Sequence, residues 1–105
     1  MADSGRERRQ HKRAPFIQDV KIIGGGTVRS TEISVGGMYL EMIQSYPEGS
    51  VLELQFKLRN TDEKPINVQA RLLYKHSHIG IGLCFLNLTS EDRTKIEKFV
   101  DQAGG

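Results

Sequence analysis

The sequence predicts an all-β fold with one C-terminal helix: about six short antiparallel strands in a closed or nearly closed barrel, behind a flexible basic arm. Three observations predict it. Apolar and polar residues alternate through short segments separated by Gly- and Pro-containing turns. The apolar period lengthens to the helical one only near the C-terminus. The first thirteen residues carry charge but no apolar period at all. A chain of 105 residues suits one domain with a modest core. Closure into a barrel removes exposed strand edges, and the helix can cover one opening. The expected organisation is an arm over 1–13 and a single barrel domain over 14–105, with the helix over about 89–102.

The arm, Arg6-Glu7-Arg8-Arg9-Gln10-His11-Lys12-Arg13, stays irregular for two reasons. Pro15 follows closely, and a helix this short is marginal by itself. Phe16 to Ile23 reads as the first strand, ended by Gly24-Gly25-Gly26. Thr27 to Ser34 reads as its partner. Gly36-Gly37 then supplies positive-φ options for a tight connection to a strand over Met38 to Ile43. In Tyr46-Pro47-Glu48-Gly49, Pro47 presets φ and Gly49 takes the last position of a turn. Val51 to Leu58 alternates, with Leu52, Leu54, Phe56 and Leu58 on one face. Asn60 to Lys64 is a polar loop. Ile66 to Lys75 and Ile79 to Leu86 are the last strands. In the latter, Ile79, Ile81, Leu83 and Phe85 share a face, while Gly80 and Gly82 leave the other bare for curvature or close approach. Thr89 caps the helix, with Asp92 three residues on, and Ile96, Phe99 and Val100 form its apolar stripe.

The formal net charge is +2, but its distribution is uneven. The first thirteen residues hold five basic side chains against two acidic ones, a local +3 that leaves −1 for the rest. The positive charge is therefore a device of the arm. That argues against a general DNA-binding surface, which spreads Lys and Arg over a folded face. One cysteine, Cys84, forms no intrachain disulfide. No segment resembles a secretory signal or a membrane span, so a reducing cytoplasm is the expected compartment.

Several familiar chemistries find no support. Gly24-Gly25-Gly26-Thr27 lacks the Lys and the following helix of a phosphate loop, and reads as a hairpin turn. His76 and His78 share a strand face and could join Cys84 as zinc ligands, but nothing completes the set, and Cys84 reads as a core or wall thiol. Ser34 has no His-Asp partner that would make it a nucleophile. Glu91-Asp92 belongs to a helix N-terminus. The four phenylalanines are scattered over different elements and form no single-strand stacking platform. No metal, cofactor or enzymatic activity is expected.

Two segments remain: the arm and Glu32-Ile33-Ser34-Val35-Gly36-Gly37. The arm offers guanidinium groups, which bind phosphate bidentately and stack on flat π systems. The second segment offers a carboxylate, a hydroxyl and bare backbone. A carboxylate accepts from the N–H donors on guanine's Watson–Crick edge, and glycine lets a planar base approach the main chain. Together they suit the phosphate and base of one nucleotide.

In these segments the chain resembles the PilZ domain family of bacterial cyclic di-GMP receptors. Arg9-Gln10-His11-Lys12-Arg13 matches the family's Arg-x-x-x-Arg motif, and the longer Glu-Arg-Arg-x-x-x-Arg form is matched from Glu7. Glu32-Ile33-Ser34-Val35-Gly36-Gly37 matches Asp/Asn-x-Ser-x-x-Gly, with Glu32 where Asp or Asn is usual. Gly82-Leu83-Cys84-Phe85 resembles the family's later Gly-hydrophobic-x-Phe strand.

The resemblance implies a six-stranded antiparallel barrel with a C-terminal helix, and binding without catalysis. It implies that Arg9 and Arg13 hold the phosphates and engage the guanines, that Ser34 and Gly37 shape the barrel-side surface, and that Glu32 meets the guanine edge. Arg8, immediately before the first motif, implies a stacked pair of ligands per chain. The arm is expected to fold over the ligand and create a surface for a protein effector, in a monomer or weak dimer. The competing readings are a ligand-blind adapter in pilus or flagellar assembly or motility, and a small nucleic-acid-binding barrel.

Overall fold

A computed structural model describes residues 12–41, 46–76 and 79–104. Its elements are β1 (Ala14–Pro15), β2 (Asp19–Ile22), β3 (Gly26–Ile33), β4 (Gly37–Glu41), β5 (Val51–Phe56), β6 (Ile66–His76), β7 (Gly80–Phe85) and α1 (Ser90–Gly104). β2, β5, β6, β7, β4 and β3 pair in that order, and β3 pairs back with β2, closing a six-stranded antiparallel barrel. The two-residue β1 is an additional strand lying along β3. The predicted fold class is thus observed.

The strand faces follow the alternation. Leu52, Leu54, Phe56 and Leu58 are all buried, as are Val68, Ala70 and Leu72 on β6. Ile81 and Leu83 join them, whereas Ile79 stands 64% exposed in the turn before β7 and leaves the face predicted for it. Helix α1 begins as expected: the Asp92 N–H donates to Thr89 Oγ1 at 3.1 Å. Ile96 and Val100 are buried in the same core. Phe99 packs edge-on against Phe16 at 5.5 Å, and Phe16 packs against Phe56 at 5.8 Å, so the helix is tied to the barrel through aromatic contacts. Among the described residues no helix is long and apolar enough to cross a membrane.

Three local expectations are corrected. The first strand does not run unbroken over Phe16 to Ile23. Only Asp19–Ile22 of it forms a strand, β2; Phe16–Gln18 is a break between β2 and the short β1 that precedes the predicted strand, and the wholly buried Ser30 of β3 occupies that break. Ser30 Oγ donates to the Phe16 carbonyl at 2.6 Å and accepts from the Gln18 N–H at 3.1 Å. A buried hydroxyl must be satisfied, and here the interrupted backbone satisfies it. The turn after β4 is shifted by one residue. Its closing bond runs from Ser50 N–H to the Pro47 carbonyl, which puts Gly49 (φ 90°) at the third position, where a left-handed residue is needed. Finally, positive φ occurs at Gly24, Gly26 and Gly49 but not at Gly36 or Gly37. The β3–β4 hairpin therefore uses its glycines for another purpose.

Two β-bulges decide which side chains face outward. On β3, Ser30 pairs with Leu40 and Glu32 with Tyr39, leaving Thr31 as an extra residue. On β6, Leu72 pairs with Leu83 and Tyr74 with Gly82, leaving Leu73 as the extra residue. A bulge reverses the phase of the pleat beyond it. Simple alternation from buried Ser30 would send Glu32 into the barrel, and alternation from buried Leu72 would send Tyr74 and His76 there too. The extra residues turn all three outward.

Candidate functional site

The phase reversals build a row of neighbours across the outer face. Pro15 of β1 pairs with Glu32 of β3, Glu32 with Tyr39 of β4, Tyr39 with Gly82 of β7, and Gly82 with Tyr74 of β6. Above this row lies a groove of about 290 Å³. Arg13, Glu32, Ser34 and Gly37 all line it, together with Tyr39, Tyr74 and Cys84. Four predicted site residues from two separate segments therefore meet in one cavity. Arg8 and Arg9 lie outside the described residues.

Arg13 leaves the barrel immediately before β1 and returns over Glu32, with Nη1 donating to Oε1 at 3.2 Å. Both side chains are exposed, so the pair contributes only about 0–1 kcal/mol. It positions a guanidinium at the groove and is cheap to exchange for another anion. Lys12 approaches Asp101 of α1 at 3.6 Å, a second exposed pair. Both described basic residues of the arm thus face a carboxylate on the body.

Ser34 and Gly37 close the β3–β4 hairpin. The Ser34 N–H donates to the Gly37 carbonyl at 2.8 Å, and the Gly37 N–H returns to the Ser34 carbonyl at 3.3 Å. Ser34 Oγ accepts from the Gly36 N–H at 3.1 Å, which keeps its own hydrogen available to donate. Gly37 is required by close approach. A Cβ there would stand 1.8 Å from the Leu83 carbonyl oxygen, well inside any tolerable contact. Bare backbone at this point lets β7 close against β4.

Gly80 and Gly82 also serve close approach, as expected. A Cβ on Gly80 would meet the Leu40 carbonyl and the Tyr39 ring, and one on Gly82 would meet the Tyr74 ring at 2.3 Å. Cys84 is half-buried and lines the groove, a wall thiol. Among the described residues no three His, Cys, Asp or Glu side chains are arranged to hold a metal ion; His78 lies outside them.

One group escaped the sequence reading. Tyr39, Tyr74 and His76 cluster beside the groove, with ring centroids 5.2–6.2 Å apart. The Tyr39 hydroxyl and His76 Nδ1 are hydrogen-bonded at 2.7 Å. Burial, and then the neighbouring Tyr74 hydroxyl, push the Tyr39 hydroxyl above its ordinary value near 10.0, so it stays neutral. The signal was present only in part. Tyr39 stands two residues after Gly37 and so shares its side of β4. The phase reversal that brings Tyr74 to it leaves no mark in the alternation.

Comparison with known proteins gives the family. The model of the PilZ domain matches residues 7–102. The chain belongs to the PilZ domain family. No curated protein matches it. Among solved structures, this PilZ chain superposes on the Bacillus subtilis inhibitor of motility (MotI/DgrA) with a TM-score of 0.76 at 21% identity, over 90% of its own length and 50% of the other. The Escherichia coli protein YcgR in complex with cyclic di-GMP gives 0.65 at 17% identity, over 90% and 45% of the two chains. The PilZ domain of YcgR with cyclic di-GMP gives 0.61 at 16%, over 92% of each. The PilZ chain thus spans about half the length of the first two proteins. These similarities establish the barrel and its helix.

Proposed function

We propose that this chain is a non-catalytic cyclic di-GMP receptor, and that the groove between the arm and the β3–β4 hairpin holds the nucleotide. One observation carries the reading: Arg13, Glu32, Ser34 and Gly37, drawn from two distant motifs, line a single groove. Membership of the PilZ family and the cyclic di-GMP in the YcgR structures support it.

In this reading Arg13 gives up Glu32 for a phosphate, or stacks on a guanine, while the freed carboxylate accepts from the guanine N–H edge. Exchange of this kind costs little because the resting pair is solvent-exposed. Arg9, and Arg8 before it, add further guanidinium contacts and a second ligand molecule. Ordering a five-residue stretch of arm costs roughly 5–10 kcal/mol. Charge-assisted contacts contribute roughly 1.5–3 kcal/mol each, so several contacts from two arginines, together with stacking, offset that cost. The ligand then folds the arm onto the barrel and creates a surface for a protein effector, in a cytoplasmic monomer or weak dimer.

The adapter reading draws on the same ion pair, since a guanidinium already engaged by Glu32 needs no ligand. Calorimetric titration of the full chain with cyclic di-GMP separates the two. The receptor reading expects saturable binding, lost in Arg9→Ala and Arg13→Ala. Absence of binding by the unmodified chain favours the adapter, and binding unchanged in both variants removes the assigned site.

A further inference from the structure

The groove is chemically divided along its length. At one end stand Arg13 and Glu32; Tyr39 follows on the next strand, and the bare backbone of Gly82 and then Tyr74 lead to the other end. Adjacent strands lie about 4.8 Å apart, so the three strand steps from Glu32 to Tyr74 span about 14 Å. We infer that the aromatic end is a base-stacking platform, in which Tyr74 carries the face of a purine and Tyr39 forms its flank. This inference rests on the receptor reading and adds two residues that neither PilZ motif contains.

Four observations carry it. First, the Tyr74 ring lies directly over Gly82, where any side chain would displace it. The hydroxyl end of the ring is thus seated against backbone, while the residue as a whole remains 40% exposed. Second, Tyr39 and Tyr74 are 6.2 Å apart and inclined at 35°, forming a shallow aromatic wall that both rings present to the same cavity. Third, the wall is held in place. His76 bonds the Tyr39 hydroxyl and lies against both rings, so it acts as a positioning residue. Fourth, the bulge at Leu73 turns Tyr74 and His76 outward, although continuous alternation would have buried them. Flat π surface at one end and a guanidinium at the other suit a ligand with planar bases joined through phosphates.

The test uses the full chain and cyclic di-GMP. The sequence has three tyrosines and no tryptophan, so intrinsic emission reports the tyrosines directly. The unmodified chain is expected to bind with quenching of that emission. Tyr74→Leu keeps the apolar bulk but removes the stacking face, and should weaken binding by about 5- to 150-fold. Tyr74→Phe keeps the face and should bind within about threefold of the parent, since stacking needs only the ring. The melting temperature of each variant guards against unfolding, and Tyr39→Leu supplies an independent lesion of the same wall. If the unmodified chain binds and both Leu variants retain its affinity, the platform is overturned while the receptor reading stands. If the unmodified chain does not bind, the receptor reading falls and takes the platform with it.

Discussion

Two rows of residues on the same strands, one position apart on four of them and flanking the bulge residue Leu73 on β6, divide the work of this protein. The inner row is Ala14, Ile33, Met38, Leu83 and Leu72, each paired with the next across the barrel wall and all buried. The outer row is Pro15, Glu32, Tyr39, Gly82 and Tyr74, paired in the same order. The pleat separates them on four strands, and the bulge at Leu73 separates them on β6. The inner row contributes burial, at roughly 1.5–3 kcal/mol for each large side chain. The outer row contributes a carboxylate, two phenols and a bare backbone to a groove. The two bulges keep the rows apart, because slipping either strand by one residue would exchange core for site.

Substitutions can break this comparison or sharpen it. The largest effect is expected from Gly37→Val, which is on the groove side of β4 but buried against β7 and would drive a side chain into the Leu83 carbonyl. It should cost more than about 4 kcal/mol, and urea unfolding should show no cooperative native baseline. A stable Gly37→Val protein would mean that β4 and β7 do not approach as described.

Next comes Leu83→Ala in the inner row, with an expected loss of about 2–5 kcal/mol at unchanged m-value. A loss below about 1 kcal/mol would deny that the inner row carries the fold.

Ser30→Ala is expected to cost about 1–3 kcal/mol by stranding the Gln18 N–H in the break between β1 and β2. A neutral result would show that the break closes without its hydroxyl.

The smallest stability effect belongs to Arg13→Ala, within about 1 kcal/mol, because its ion pair is exposed. The same variant should lose cyclic di-GMP binding. A marked fall in its melting temperature would place Arg13 among the structural residues and blur the distinction between the rows.

The sequence by itself determined the elements and much of their facing. Leu52 to Leu58, the glycine turn before Thr27, the Thr89 cap and the Ile96–Val100 stripe are set by the backbone and side-chain chemistry of a few neighbouring residues. That chemistry operates at any register. The order of the two motifs was legible for the same reason, since each is a short string of residue types. Tertiary structure decided the rest. The split at Phe16–Gln18 depends on Ser30, twelve or more residues away, and the need for glycine at position 37 comes from a carbonyl on β7. The outward turn of Glu32, Tyr74 and His76 comes from two bulges whose positions follow from pairing with β4 and β7. Pleat and helix periods are local and survive in a single segment. Strand register comes from hydrogen bonds and packing between distant segments, so only the closed barrel could bring Arg13, Glu32, Tyr39 and Tyr74 to one groove.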